Sequence, residues 1–295
     1  MLGLVVAAYG KRYEVELDRI ELEAKQRISC VTRGKKTDLA CGDLVNIKLT
    51  DKAEGVVESS LPRKSLLYRS NAIKSKILAS NVTQIVIVLA TQPSFYEALL
   101  NRCLIAAEAA KIKPLIVLNK CDLNDATDAK NKLKLYQNLG YEVVHLSAKQ
   151  DITALKPYLA NHQSVLVGQS GMGKSTIINA LLPNQNVRTQ IMSEALDSGK
   201  HTTTATHLYH LDSKSSLIDS PGLQEFGLNH LSQLDLELAF VEFRPYLGNC
   251  RFNNCSHSHE PDCAIIKAIA QDKISAVRHA IYQVISTELK HDQAQ

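Results

Sequence analysis

The sequence predicts a multidomain α/β protein in three parts: an N-terminal β-barrel, a doubly wound α/β domain and a C-terminal helical unit that binds a metal. Short β-prone runs broken by turns fill the chain up to about Leu61. Fully apolar runs then alternate with segments of helical spacing, and three cysteines cluster in one polar stretch near the end. With 295 residues the chain exceeds what one hydrophobic core usually organises, so separate units are expected at 1–65, 66–225 and 226–295.

In the first unit the β-prone runs are Leu4 to Ala8, Tyr13 to Leu17, Ile28 to Thr32, Leu44 to Leu49 and Val56 to Val57. Five short strands in so little chain suggest a barrel of the OB or SH3-like kind. The next stretch, Leu61 to Lys76, carries Arg63, Lys64, Arg69, Lys74 and Lys76 with no acidic residue. A second basic stretch runs from Arg27 to Lys36. Such patches attract phosphate backbones, and they equally suit a solvated linker and a solvated hairpin loop. The net charge of +4 does not choose between these readings.

The runs Gln84 to Ala90, Pro114 to Leu118, Tyr141 to Leu146 and Ser164 to Val167 are continuously hydrophobic, as strands of a parallel sheet covered on both faces must be. Between them, Tyr96 to Ala110 and Asp128 to Leu139 carry helical spacing. From about Phe226 the pattern is helical on either side of the cysteines. Ile265, Ile266, Ile269, Ile274, Val277, Ile281, Val284 and Ile285 form an apolar stripe read as helix packing. The composition is that of an ordinary soluble protein. The apolar run from Met1 to Gly10 is too short for a signal peptide or membrane span, so a cytoplasmic location is expected.

The residues Gly168-Gln169-Ser170-Gly171-Met172-Gly173-Lys174-Ser175 satisfy G-x-x-x-x-G-K-[ST] between a strand and a helix beginning near Thr176. Glycines let backbone amides face phosphates, Lys174 reaches the outer phosphates, and Ser175 ligates magnesium. The base is indicated by Asn119-Lys120-Cys121-Asp122, directly after a strand. Asp122 accepts from the guanine ring nitrogen and amino group, Asn119 supports the loop, and Lys120 lays its stem on the ring. Adenine presents a mismatched edge to that carboxylate. Ser147-Ala148-Lys149 follows another strand, placing the Ala148 amide to donate to the guanine carbonyl.

Asp219-Ser-Pro-Gly222 follows strand Ser216 to Ile218, which puts Asp219 near the magnesium and the Gly222 amide near the γ-phosphate. The run Gly199-Lys-His201-Thr202-Thr203-Thr204 offers hydroxyls to the magnesium, without distinguishing which threonine binds it. The guanine-reading loops precede the phosphate loop, the reverse of the common arrangement. A circular permutation that keeps the sheet explains this order. Leu223 stands where many such proteins place a water-orienting glutamine, and a leucine cannot orient water.

Four of the seven cysteines are scattered along apolar runs and read as core. Cys250, Cys255 and Cys263, joined by His257 or its competitor His259, complete a closed tetrahedral zinc set with no open position, so the ion is expected to be structural.

Asn119 to Asp122, Gly168 to Ser175, the Lys200-His-Thr-Thr-Thr204 run, Asp219 to Gly222 and Cys250-x4-Cys255-x-His257-x5-Cys263 together resemble the bacterial family of ribosome small-subunit-dependent GTPases, RsgA or YjeQ, over nearly the whole chain. The resemblance implies an OB-fold, a circularly permuted P-loop GTPase domain and a zinc-binding helical domain. It implies a GTP hydrolase with GTP, Mg2+ and one Zn2+, stimulated by the small ribosomal subunit during late maturation of that subunit. It further implies contact with 16S rRNA, no membrane, a monomer, and His201 as the residue that positions the attacking water. A rival class is an RNA-binding assembly factor in which GTP only sets conformation. A metabolic kinase is disfavoured because no acceptor-binding lid is evident.

Overall fold

The computed structural model describes residues 1–17, 26–33, 39–71, 74–123, 126–183, 206–219 and 228–293. The barrel strands are β1 (Leu2–Tyr9), β2 (Arg12–Leu17), β3 (Gln26–Thr32), β4 (Leu44–Leu49) and β5 (Glu54–Ser60). They run in the order β1-β2-β3-β5-β4, and β4 pairs back onto β1 to close the barrel. Alternation makes this possible, since β3 and β4 bury every second residue. Val5, Tyr13, Val15, Leu17, Ile28, Cys30, Val45, Ile47 and Val57 fill the interior.

The α/β unit is a sheet of β8 (Gln84–Ala90), β9 (Lys113–Asn119), β10 (Glu142–His145), β11 (Gln163–Val167), β12 (Thr206–His210) and β13 (Ser216–Asp219). Its order is β10-β9-β8-β11-β13-β12, parallel except for β12. All seven residues of β8 are buried, because helices cover both faces. On one face lie α1 (Glu97–Ala109) and α2 (Ala126–Asn138); the other carries the single turn α3 (Lys156–Leu159) and α4 (Lys174–Leu181). The strand order reverses between β8 and β11, and the carboxyl ends there form the crevice in which such sheets bind ligands.

Two expectations need correction. The basic stretch read as a linker or loop contains paired strands, β6 (Leu66–Asn71) and β7 (Lys74–Ser80). Its flanking Leu67, Leu78 and Ala79 are buried in the main core, which the density of charge between them concealed. Strand β12, which no β-prone run announced, pairs antiparallel with β1 and so joins the barrel and the parallel strands, eleven among the described residues, into one sheet.

The apolar stripe near the end divides between α6 (Ala264–Ala270) and α7 (Ala276–Gln293), with Asp272 at a φ of 55° between them. Because the phase resets at that turn, Val277 and Val284 are 53% and 57% exposed. Ile281 and Ile285 of the stripe do pack on the core, and Arg278, Tyr282 and Leu289 complete the buried face of α7.

The short helix α5 (Gln233–Ala239) starts with a capping box, in which the Asp235 amide donates to Ser232 Oγ at 3.1 Å and the Ser232 amide to Asp235 Oδ2 at 3.0 Å. It packs on α1, and Leu236, Phe240 and Phe243 join the core beneath it. Among the described residues no helix is long and apolar enough to cross a membrane.

Candidate nucleotide site and metal centre

Three loops meet at the carboxyl edge of β9, β10 and β11, and Asn119 ties them together. At 2% exposure it ends β9. Its Nδ2 donates to the Met172 carbonyl at 3.0 Å, and its Oδ1 accepts from the Ala148 amide at 3.0 Å. The phosphate loop and the Ser147-Ala148-Lys149 loop are thus both held by one side-chain amide, and the Ala148 N–H expected to meet the guanine carbonyl is taken up by Asn119 instead. A Cβ on Gly173, at a φ of 93°, would lie 2.3 Å from Asn119 Nδ2, so glycine there is a condition of the contact. Gly168 is under a similar constraint, since a Cβ would meet the Val88 carbonyl oxygen at 2.3 Å.

Asp122 stands exposed at the end of this assembly. A hydrogen bond from the Ser147 side chain, followed by one from its own backbone amide, holds its carboxyl below the usual range, and Lys149 and Lys120 add to the effect. The group is therefore ionised and orientated as an acceptor, which is what a guanine edge with two adjacent donors requires. Lys120 adopts a φ of 62° and donates its ammonium to the Gln92 carbonyl at 2.6 Å.

The phosphate loop, Gly168 to Gly173, leads into α4, whose first residues are Lys174, Ser175 and Thr176. The Lys174 ammonium donates to the Gly168 and Gln169 carbonyls at 2.5 and 2.7 Å, folding over the loop that Ser170 and Gly171 complete. Burial lowers its pKa, while the charge of Asp219 opposes that shift. Asp219 ends β13; burial pushes its carboxyl up and Lys174 pulls it back. The two groups lie in one another's field across the space between β11 and β13, where a triphosphate and its magnesium would sit. His201, Thr202, Thr203, Thr204, Gly222 and Leu223 lie outside the described residues.

The cysteine cluster assembles as its spacing suggested. The ligand atoms of Cys250, Cys255, His257 and Cys263 all lie within 4.8 Å of one another. Cys250 Sγ is 3.6 Å from His257 Nδ1 and 3.9 Å from Cys263 Sγ, and His257 Nδ1 is 3.4 Å from Cys263 Sγ. A tetrahedral zinc with bonds of about 2.3 Å to sulfur and 2.0 Å to nitrogen has edges of roughly 3.5–3.8 Å, so the set fits that ion.

His259 is exposed, and the structure places His257 in the set instead. The other ring nitrogen of His257 faces Glu237 Oε1 at 3.8 Å, the carboxylate behind the imidazole that fixes which nitrogen ligates. The Ala264 amide also points at Cys250 Sγ at 3.4 Å.

Two contributors were not foreseen. Glu237 lies thirteen residues before Cys250 in a helix of its own, and no local pattern links them. Thr91, by contrast, directly follows β8 at the carboxyl edge of the sheet, a position that would have marked it for attention. Its hydroxyl donates to the Lys120 carbonyl at 2.9 Å.

The RsgA GTPase family matches residues 60–229. A relative from Nitrosospira multiformis, named small ribosomal subunit biogenesis GTPase RsgA, is 49% identical over 97% of this chain and 90% of its own length. One of the same name from Burkholderia pseudomallei strain K96243 is 48% identical over 99% of this chain and 92% of its own. Among solved structures, YjeQ from Thermotoga maritima is similar with a TM-score of 0.76 at 29% identity, over 98% of each chain. YloQ, described as a circularly permuted GTPase, gives a TM-score of 0.71 at 27% identity, over 98% of this chain and 95% of its own.

Proposed function

The chain belongs to the RsgA GTPase family and is a GTP hydrolase, and from that premise we propose that it binds the small ribosomal subunit and turns over GTP there during late maturation of that subunit. Asp122 reads guanine, helped by the stem of Lys120, with Ser147 and Lys149 holding the carboxylate, while the Ala148 amide serves the junction at Asn119. The amides from Gly168 to Gly173 and of Thr176 cradle the phosphates, and Lys174 neutralises the outer ones. Ser175, Asp219 and either Thr203 or Thr204 hold the magnesium, which when bound offsets charge on the β- and γ-phosphate oxygens. The Gly222 amide meets the γ-phosphate. His201 orients the attacking water in the absence of a glutamine at Leu223.

The observation that carries this reading is the junction at Asn119, where loops for base and phosphate are held by one buried amide. The zinc set at Cys250, Cys255, His257 and Cys263 is structural in this proposal. Together with the barrel it supplies surfaces for 16S rRNA. The protein acts as a monomer in the cytoplasm.

Multiple-turnover GTP hydrolysis with purified small or large subunits tests the proposal at a stated salt concentration, because phosphate contacts are salt-sensitive. Stimulation by small subunits alone is expected, and it should be lost in His201→Ala. Equal rates with either subunit, or uptake of ATP as readily as GTP, would sink it.

A further inference from the structure

We propose that Thr91 is a positioning residue for guanine recognition, acting through the Lys120 carbonyl to aim Asp122. The proposal rests on the reading of Asp122 as the guanine-binding carboxylate. Lys120 is a non-glycine residue at a φ of 62°, a left-handed conformation that costs on the order of 1 kcal/mol and persists only where neighbours hold it. Its carbonyl is held twice, by the Thr91 hydroxyl at 2.9 Å and by the Leu123 amide at 3.1 Å. These bonds bracket the turn that contains Asp122.

Thr91 is 6% exposed, so water cannot readily replace its hydroxyl. The adjoining Gln92 carbonyl accepts the Lys120 ammonium at 2.6 Å, so both ends of the lysine are anchored on the loop after β8. A hydrogen bond from the Ser147 side chain also holds the carboxylate. Neither Thr91 nor Gln92 belongs to the motif that names the base. They hold the backbone from which Asp122 projects.

Replacing the hydroxyl with a methyl, in Thr91→Val, leaves the Lys120 carbonyl one partner short and frees the turn to rotate. A mis-aimed Asp122 loses its bond to the guanine 2-amino group. The ratio of GTP to inosine triphosphate affinity should therefore fall about fivefold, the worth of one hydrogen bond. Thr91→Ser keeps the donor and should keep the ratio. A threonine that served only stability would change the amount of active protein and leave this ratio untouched.

The experiment is equilibrium binding of both nucleotides to the full chain, with Thr91→Ala as a second variant that introduces no methyl at the carbonyl. A wild-type ratio in Thr91→Val or in Thr91→Ala overturns the proposal, as does a lowered ratio in Thr91→Ser. Asp122→Asn separates the two levels, since it should shift preference from GTP toward xanthosine triphosphate. If that shift is absent, the guanine reading itself fails; if it is present while the Thr91 variants keep the ratio, only the role of Thr91 fails.

Discussion

Asn119 is almost fully buried, with its amide committed at both ends, to the Met172 carbonyl and from the Ala148 amide. Removing it orphans a buried donor and a buried acceptor on two different loops. Each lost bond is worth about 1 kcal/mol net, so Asn119→Ala should weaken GTP binding roughly 30-fold. Asn119→Asp should be no better, because a carboxylate would then face the Met172 carbonyl. Titration calorimetry decides the matter, and a Kd within about twofold of the parent for the alanine variant would refute the strut.

The side-chain roles at this scale follow from residue type and place. The motif marked Asn119 as a support, and a side-chain amide can serve a carbonyl and a backbone amide at once from two separate atoms. Thr91 was not legible in the same way, because its partner is a backbone oxygen brought near only by the pairing of β8 with β9.

Among elements, the zinc loop and α6 depend on one another. Residues 250–263 have little regular structure, and Cys263 is the residue from which α6 departs. A zinc ion held by the four ligands would therefore stand in for a core that so short a segment cannot build. In Cys255→Ala or His257→Ala, bound zinc should fall well below one equivalent. Amide exchange across 250–270 should then quicken, while β8 to β11 keep their protection. Undiminished metal content in these variants would remove the site.

The spacing of the four ligands was readable because they lie close in sequence; Glu237, on α5, was not. Helices whose apolar residues repeat without interruption were placed to within about two residues, as with α1 and α2. The C-terminal stripe misled because periodicity cannot register a turn that resets the phase. Val277 and Val284 continue the pattern in sequence and face solvent in the fold.

At the scale of the whole molecule, the C-terminal unit is fastened to α1 by three arginines. Arg244 donates to Glu108 at 2.6 Å, Arg102 pairs with Glu288, and Arg278 is bonded to Asn101. Arg278 is fully buried; it also pairs with Glu242 at 2.6 Å and lies 4.4 Å over the Phe240 ring. Arg278→Ala leaves Glu242 as an uncompensated buried charge, which typically costs about 3–5 kcal/mol. The variant should unfold its C-terminal unit at lower urea than the parent, and adding Glu242→Leu should recover part of the loss. A parent-like midpoint in the single variant would show that the pair contributes nothing to docking.

Candidate groups for each loop were legible in the sequence: amides and a lysine suited to phosphate, a carboxylate suited to guanine, three thiols and an imidazole suited to zinc. So were the parallel strands, because strands buried on both faces have no polar positions to spare. Only the tertiary structure decided that β12 welds the barrel to the parallel sheet, that Asn119 joins two loops, and that Arg278 of α7 is buried against α1 and Phe240. Those contacts connect residues far apart in the chain, and local patterning holds no record of which distant segment a strand edge or a buried charge will meet.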